Sequence, residues 1–166
     1  MSNAPKMASA FRAYEVDNDA LKDGSWIEFD WFDPELGEKV VVGRFLCLPE
    51  HEMLNPKWRR AKALIRRDTR LYCKKNDISI PDTVEQLEEM EPLPYEVEMM
   101  LNSNHYFGSV VLDYELIDLD GETVPVNRDT FVACMTCMPE LWQKLRLRCL
   151  KLATFHREHE DEIVKD

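Results

Sequence analysis

From Ser25 to Phe32 the chain reads Ser-Trp-Ile-Glu-Phe-Asp-Trp-Phe, so that Ile27, Phe29 and Trp31 alternate with Glu28 and Asp30. Side chains on a strand point to opposite faces in turn, and this period of two predicts a strand with those three residues on one face. Asp33-Pro34-Glu35-Leu36-Gly37 is a turn cluster, because Pro fixes one backbone dihedral and Gly supplies a positive one. Lys39 to Leu48 then brings Val40, Val41, Val42, Phe45 and Leu46, a β-branched and apolar run that predicts a second strand. The two strands predict a β-hairpin over residues 25–48. A lone hairpin is marginal in water, so this one must pack on something else.

Beyond residue 50 the apolar period becomes helical. Asn55-Pro56 opens a helix with Pro in its first turn, and Trp58, Ala61, Ile65 and Tyr72 form its buried stripe. Ser79-Ile80-Pro81-Asp82 starts another, with Val84, Leu87 and Met90 on one side. After Pro92 and Pro94 a third begins, with Val97, Met100 and Leu101 as its stripe. Whether it bends or runs straight through Asn102-Ser103-Asn104 stays open. Phe107, Val110, Val111, Tyr114 and Ile117 recur at spacings of 3, 1, 3 and 3, which predicts a helix. The competing assignment is a strand with Leu112, Tyr114 and Leu116 in alternation, turning at Asp120-Gly121. Asn127 is a natural N-cap for a helix carrying Phe131, Met135 and Met138. Pro139 starts the last helix, whose stripe of Trp142, Leu145, Cys149 and Leu152 runs towards Phe155.

These elements predict an α+β fold, an N-terminal β-hairpin packed on a mainly α-helical part over residues 55–155. A chain of 166 residues suits one domain with a real core, here over 11–155. Residues 1–10 lack periodicity and read as a loose tail, residues 11–22 hold a helical turn, and 156–166 read as a charged C-terminal tail.

Composition narrows the classes. An apolar share of 45% excludes wholesale disorder. No apolar run reaches the roughly 18–20 residues of a membrane span, and no secretion signal precedes the first acidic cluster, so the expectation is a cytoplasmic protein. The five cysteines, Cys47, Cys73, Cys134, Cys137 and Cys149, are expected to be reduced and partly buried. A formal charge of −11 disfavours general binding to phosphate backbones. Against that charge, nine basic residues lie between Lys57 and Lys75, while seven acidic and no basic residues lie between Asp82 and Glu98. The basic run reads either as a solvated helix face, with the two segments facing each other, or as a docking surface.

The motifs of chemistry fail on spacing. Cys134-Met135-Thr136-Cys137 has CxxC spacing but lacks a second ligand pair for zinc and a βαβ setting for redox work. His156-Arg157-Glu158-His159 matches neither zincin pattern. Aligning Gly121 with the glycine of a calcium loop puts Leu116 and Asn127 where acidic ligands belong. There is no GxSxG, P-loop or GxGxxG. Nothing in these motifs argues for an enzyme, so the expectation is a protein without catalytic activity or cofactor.

One family carries a similar order of elements and motifs. The stretch from Asn104 to Phe155, with Tyr114, then Asp120-Gly121-Glu122-Thr123-Val124-Pro125-Val126, then Pro139-Glu140-Leu141 and finally Phe155, resembles the tail assembly chaperones of long-tailed bacteriophages. Gly24-Ser25-Trp26-Ile27 is similar to that family's short N-terminal β element, and Asn55-Pro56-Lys57-Trp58 to the start of its helical part. Two positions depart from the pattern: Tyr114 stands where the family often has Trp, and Val126 where an aromatic is common. The resemblance implies a protein that transiently binds the long, apolar tape measure protein and helps recruit tail tube subunits. It further implies work in the host cytoplasm and absence from the mature virion. No nucleic acid or membrane is expected as a partner, and self-association as a homo-oligomer is left open. The eight methionines suit an adaptable apolar surface and equally suit a core.

Candidate partner-contact residues are Trp58, Arg59 and Arg66 on the basic helix, Tyr114, Asp120 and Gly121 around the acidic turn, and Trp142 on the final helix. An alternative from another class is a small acidic regulator that binds and inhibits a basic-surfaced partner. A third is nucleic-acid binding by the Trp58–Lys75 helix.

Overall fold

A computed structural model describes residues 15–118 and 120–156. The tail expected over 1–10, the start of the turn expected over 11–22, and the charged segment past His156 lie outside the described residues. Helix α1 (Asn18–Asp23) is capped by Asp17, whose carboxylate accepts from the Asp19 amide at 2.9 Å. It leads into β1 (Ser25–Asp33) and β2 (Glu38–Cys47), the expected antiparallel hairpin. Asp33 closes its turn by accepting from the Glu35 amide at 2.9 Å.

The helix expected from Phe107 to Ile117 does not form. Residues Val111–Leu116 are strand β3, antiparallel to β2, with Phe45 opposite Tyr114 and Arg44 opposite Glu115. The reason is non-local: without β3, the second edge of β2 would keep a row of unpaired amides and carbonyls. The helix-like spacing arises because Val110 and Val111 are both buried, one in a tight turn and one in the strand. In that turn Gly108, at φ +92°, donates its amide to the Val111 carbonyl at 2.7 Å. Arg44 and Glu115 clamp the same strand pair through two bonds of 2.6 and 2.8 Å. The sheet order is β1-β2-β3, and Ile27, Phe45 and Tyr114 sit side by side across it, all buried. Gly43 is needed within β2, since a Cβ there would collide with the Leu116 side chain and lie 2.9 Å from the Glu115 carbonyl oxygen.

The helical part comprises α2 (Pro56–Lys75), α3 (Val84–Glu89), α4 (Tyr95–Tyr106), α5 (Arg128–Cys137) and α6 (Pro139–Leu150), followed by a 3-10 turn over Leu152–Phe155. Asn55 caps α2 and does more. Its buried amide donates to the carbonyls of Pro49 and Ser109 at 2.9 and 2.8 Å, tying the helix start to both ends of the sheet connection. Asn127 caps α5 as expected, accepting from the Thr130 amide at 2.8 Å. Helix α4 continues unbroken through Asn102-Ser103-Asn104, with the Asn102 and Ser103 side chains donating to the carbonyls of Glu98 and Met99 one turn earlier. It packs between α2 and α5, so its buried residues are Met99, Leu101, Ser103 and Tyr106, and Met100 of the expected stripe is exposed.

The core is threaded by aromatic rings. Trp58 meets Tyr106 edge-on at 5.5 Å, Tyr106 meets Trp142 at 4.9 Å, and Trp142 reaches Phe131 at 6.4 Å. Phe131 continues to Tyr114 at 6.0 Å, and Tyr114 to Phe45 at 6.0 Å. Helix α2 is thereby joined to the sheet by one continuous run of ring contacts, each favourable in the tilted or edge-on geometry. All five cysteines are free thiols; Cys47, Cys73 and Cys149 are buried, Cys134 is half-buried and Cys137 exposed.

Candidate functional site

The sequence-derived contact residues fall into three groups. Trp58, Tyr114 and Trp142 are core residues, 7%, 1% and 7% exposed, so their rings build the fold. Their size and spacing on amphipathic elements are what a core demands, and that demand wins. Asp120 and Gly121 are exposed in a turn that Asp118 organises, its carboxylate accepting from the amides of Asp120 and Glu122 at 2.9 Å each. Gly121 adopts φ +77°, which is its role in that turn. Tyr114 anchors the linker beyond it, donating its hydroxyl to the Pro125 carbonyl at 2.5 Å and accepting from the Asn127 amide at 3.2 Å. Burial raises the Tyr114 phenol above its ordinary value, which keeps the donor in place. Arg59 and Arg66 are exposed on α2.

Arg66 belongs to a second feature that the motifs did not mark. On α2, Ala63, Arg66, Arg67, Arg70, Leu71 and Lys74 follow one another at helical spacing and line a hollow of about 730 Å³, closed on its far side by Ile78 and Ile80. An adjoining hollow of about 400 Å³ shares Arg70 and Ile80 and continues to Leu87 of α3 and to Met90 and Leu93. Leu71, Ile80, Val84 and Leu87 are 57%, 44%, 68% and 60% exposed. Of the apolar side of α3, Val84 and Leu87 are exposed, while Met90 just beyond it is half-buried and lines the smaller hollow with Leu87. The six residues of α3 follow Pro81 and precede Pro92 and Pro94, and none is buried.

The charges around this surface are unevenly matched. Lys62 bonds Glu52 at 2.8 Å and thereby holds that carboxyl below its ordinary value. Arg67 bonds Asp68 at 2.9 Å; the hydrogen bond from His105 to Asp68 is the main cause that holds the Asp68 carboxyl low, and Arg67 adds to it. Among the described residues, Arg66, Arg70 and Lys74 have no carboxylate within ion-pair distance, and no ion pair joins residues 57–75 to residues 82–98. The facing of acidic and basic segments expected from the sequence is thus not realised as contact pairs.

The chain matches no protein-family model, no curated protein and no solved structure. Its site is therefore read from its own residues. The surface combines apolar Leu71, Ile80 and Leu87, a cationic wall on α2, and acidic Glu91 and Glu98 lining the far hollow. Among the described residues, no three His, Cys, Asp or Glu side chains converge as a metal site would require, and no helix is long and apolar enough to cross a membrane. The signal that could have found the strip was in the sequence. Val84, Leu87 and Met90 form a stripe on a short segment bounded by prolines.

Proposed function

We propose that the chain is a tail assembly chaperone, a protein that transiently covers the apolar helices of a tape measure protein and helps bring tail tube subunits to it. The family assignment rests on the resemblance carried by Tyr114, the Asp120–Val126 turn and Pro139-Glu140-Leu141. The observation that best supports a binding role is the exposed strip of Leu71, Ile80, Val84 and Leu87. Isolated exposed apolar residues are ordinary on protein surfaces, but a contiguous strip with a charged rim is the usual mark of an interaction site. Helical ligands lay their own apolar stripe into grooves of this kind.

The test is co-expression with the tape measure protein of the genome that encodes the chain. The expected result is a soluble complex that survives two-step purification, and a several-fold rise in soluble tape measure protein. A clean pull-down in which neither the tape measure nor the tail tube protein is retained would overturn the proposal.

A further inference from the structure

We infer that Cys47 and Cys149 are a modification site, a buried dithiol that oxidation closes into a disulfide between the sheet and the final helix. The inference is independent of which partner the chain binds. It stands on where the fold places two residues that are far apart in sequence. Cys47 ends β2, and Cys149 lies in the last turn of α6. The exit of the strand is tied to that turn at two points. Glu50 donates its amide to the Cys149 carbonyl at 3.0 Å, and its carboxylate holds Arg146, one turn earlier on α6, at 2.6 Å. Beside these ties both thiols are fully buried in one core cluster, and their side chains lie against each other. A cross-link here joins backbone that is already fastened together, which is the condition for closing it without strain.

Tyr106 marks the same spot. Its hydroxyl is buried, has no hydrogen-bond partner among the described residues, and lies beside Cys149. It offers a donor to the thiolate through which the reaction must pass. The other thiols are placed differently: Cys73 lines a hollow with Ile80 and Pro81, and Cys134 and Cys137 follow each other on α5. A peroxide is the oxidant. One thiol, deprotonated, attacks a peroxide oxygen; the O–O bond breaks, a sulfenic acid forms, and the displaced hydroxide takes up the proton as water. The second sulfur attacks the sulfenic sulfur, forms the S–S bond and expels a second hydroxide, which leaves as water with the second proton. Two S–H bonds and one O–O bond are broken, and the two electrons lost by sulfur end on oxygen. Burial raises the Cys47 thiol well above its ordinary value, so little thiolate exists in the closed fold and the reaction is slow there. It proceeds when the end of α6 opens locally and admits the oxidant.

The experiment treats the full reduced chain with hydrogen peroxide, blocks the remaining thiols with N-ethylmaleimide in denaturant, and maps the peptides without reduction. The expected main product is a cross-linked Cys47–Cys149 peptide within the monomer, lost on reduction. C134S/C137S, which removes the two thiols that are not fully buried, should give the same product. The oxidised chain is expected to unfold at a urea midpoint higher by about 1 M or more, because a cross-link that closes a loop of about 100 residues restricts the unfolded chain. Recovery of Cys47 and Cys149 both alkylated, Cys47 joined to any other cysteine, a cross-link absent from C134S/C137S, or a midpoint that does not rise would each overturn the inference.

Discussion

Replacing Arg146 with Ala is expected to lower stability by about 3 kcal/mol at neutral pH and by less in acid. Arg146 bonds one carboxylate oxygen of Glu50 twice, from Nε at 2.8 Å and Nη2 at 2.6 Å, and its guanidinium lies 5.6 Å from the Trp142 ring centre and 5.9 Å from that of Tyr106. The Glu50 side chain is only 2% exposed, while that of Arg146 is 38% exposed. Removing the arginine leaves a buried carboxylate without its counter-charge, which is the costly way to break such a pair. Burial already raises the Glu50 carboxyl above its ordinary value of 4.5, with Arg146 pulling it back down. A raised carboxyl binds its proton more tightly in the folded chain than in the unfolded one. Its contribution is therefore full below 4.5 and lost as pH rises through the folded value. Without Arg146 that folded value climbs further, so the deficit against wild type grows with pH. Urea unfolding at about pH 5 and pH 7 reads both effects, and a loss below about 1 kcal/mol at both would contradict them.

Phe131→Ala is expected to cost about 4 kcal/mol, a large part of the stability of a domain this size. Phe131 is 1% exposed and touches rings from three directions: Phe107 at 5.5 Å, Tyr114 at 6.0 Å and Trp142 at 6.4 Å. It is the ring through which α6 and β3 reach each other, so its removal opens a cavity that no single element can collapse to fill. Phe131→Leu keeps most of the volume and is expected to lose less than half as much. Equal losses for the two variants would mean that ring geometry, and not filled volume, sets the cost.

How much of this was legible in the sequence depends on whether the deciding contacts were local. The hairpin was readable because Ile27 and Phe29 alternate with charged residues and Asp33-Pro34-Glu35-Leu36-Gly37 specifies the turn. The start of α2 at Asn55 and of α5 at Asn127 was readable because a capping side chain acts within three residues. Strand β3 was not. Its residues satisfy a helical period, and what makes them a strand is the open edge of β2, some 70 residues earlier in the chain at Arg44 against Glu115. The tryptophans were overvalued as contacts because sequence shows that a large ring needs a surface, not whether that surface is its own core. The apolar stripe of α3 is legible as a stripe, but which way it faces is not.

The proposed role reduces to one spatial claim: a partner helix lies along Leu71, Ile80, Val84 and Leu87, against the cations of α2. Amide hydrogen exchange on the complex with the tape measure protein tests it most directly. Protection is expected to rise in residues 66–75 and 80–89, and to stay unchanged along Glu28–Asp33 of β1. Protection confined to the hairpin, with α2 and α3 exchanging as in the free chain, would contradict the account.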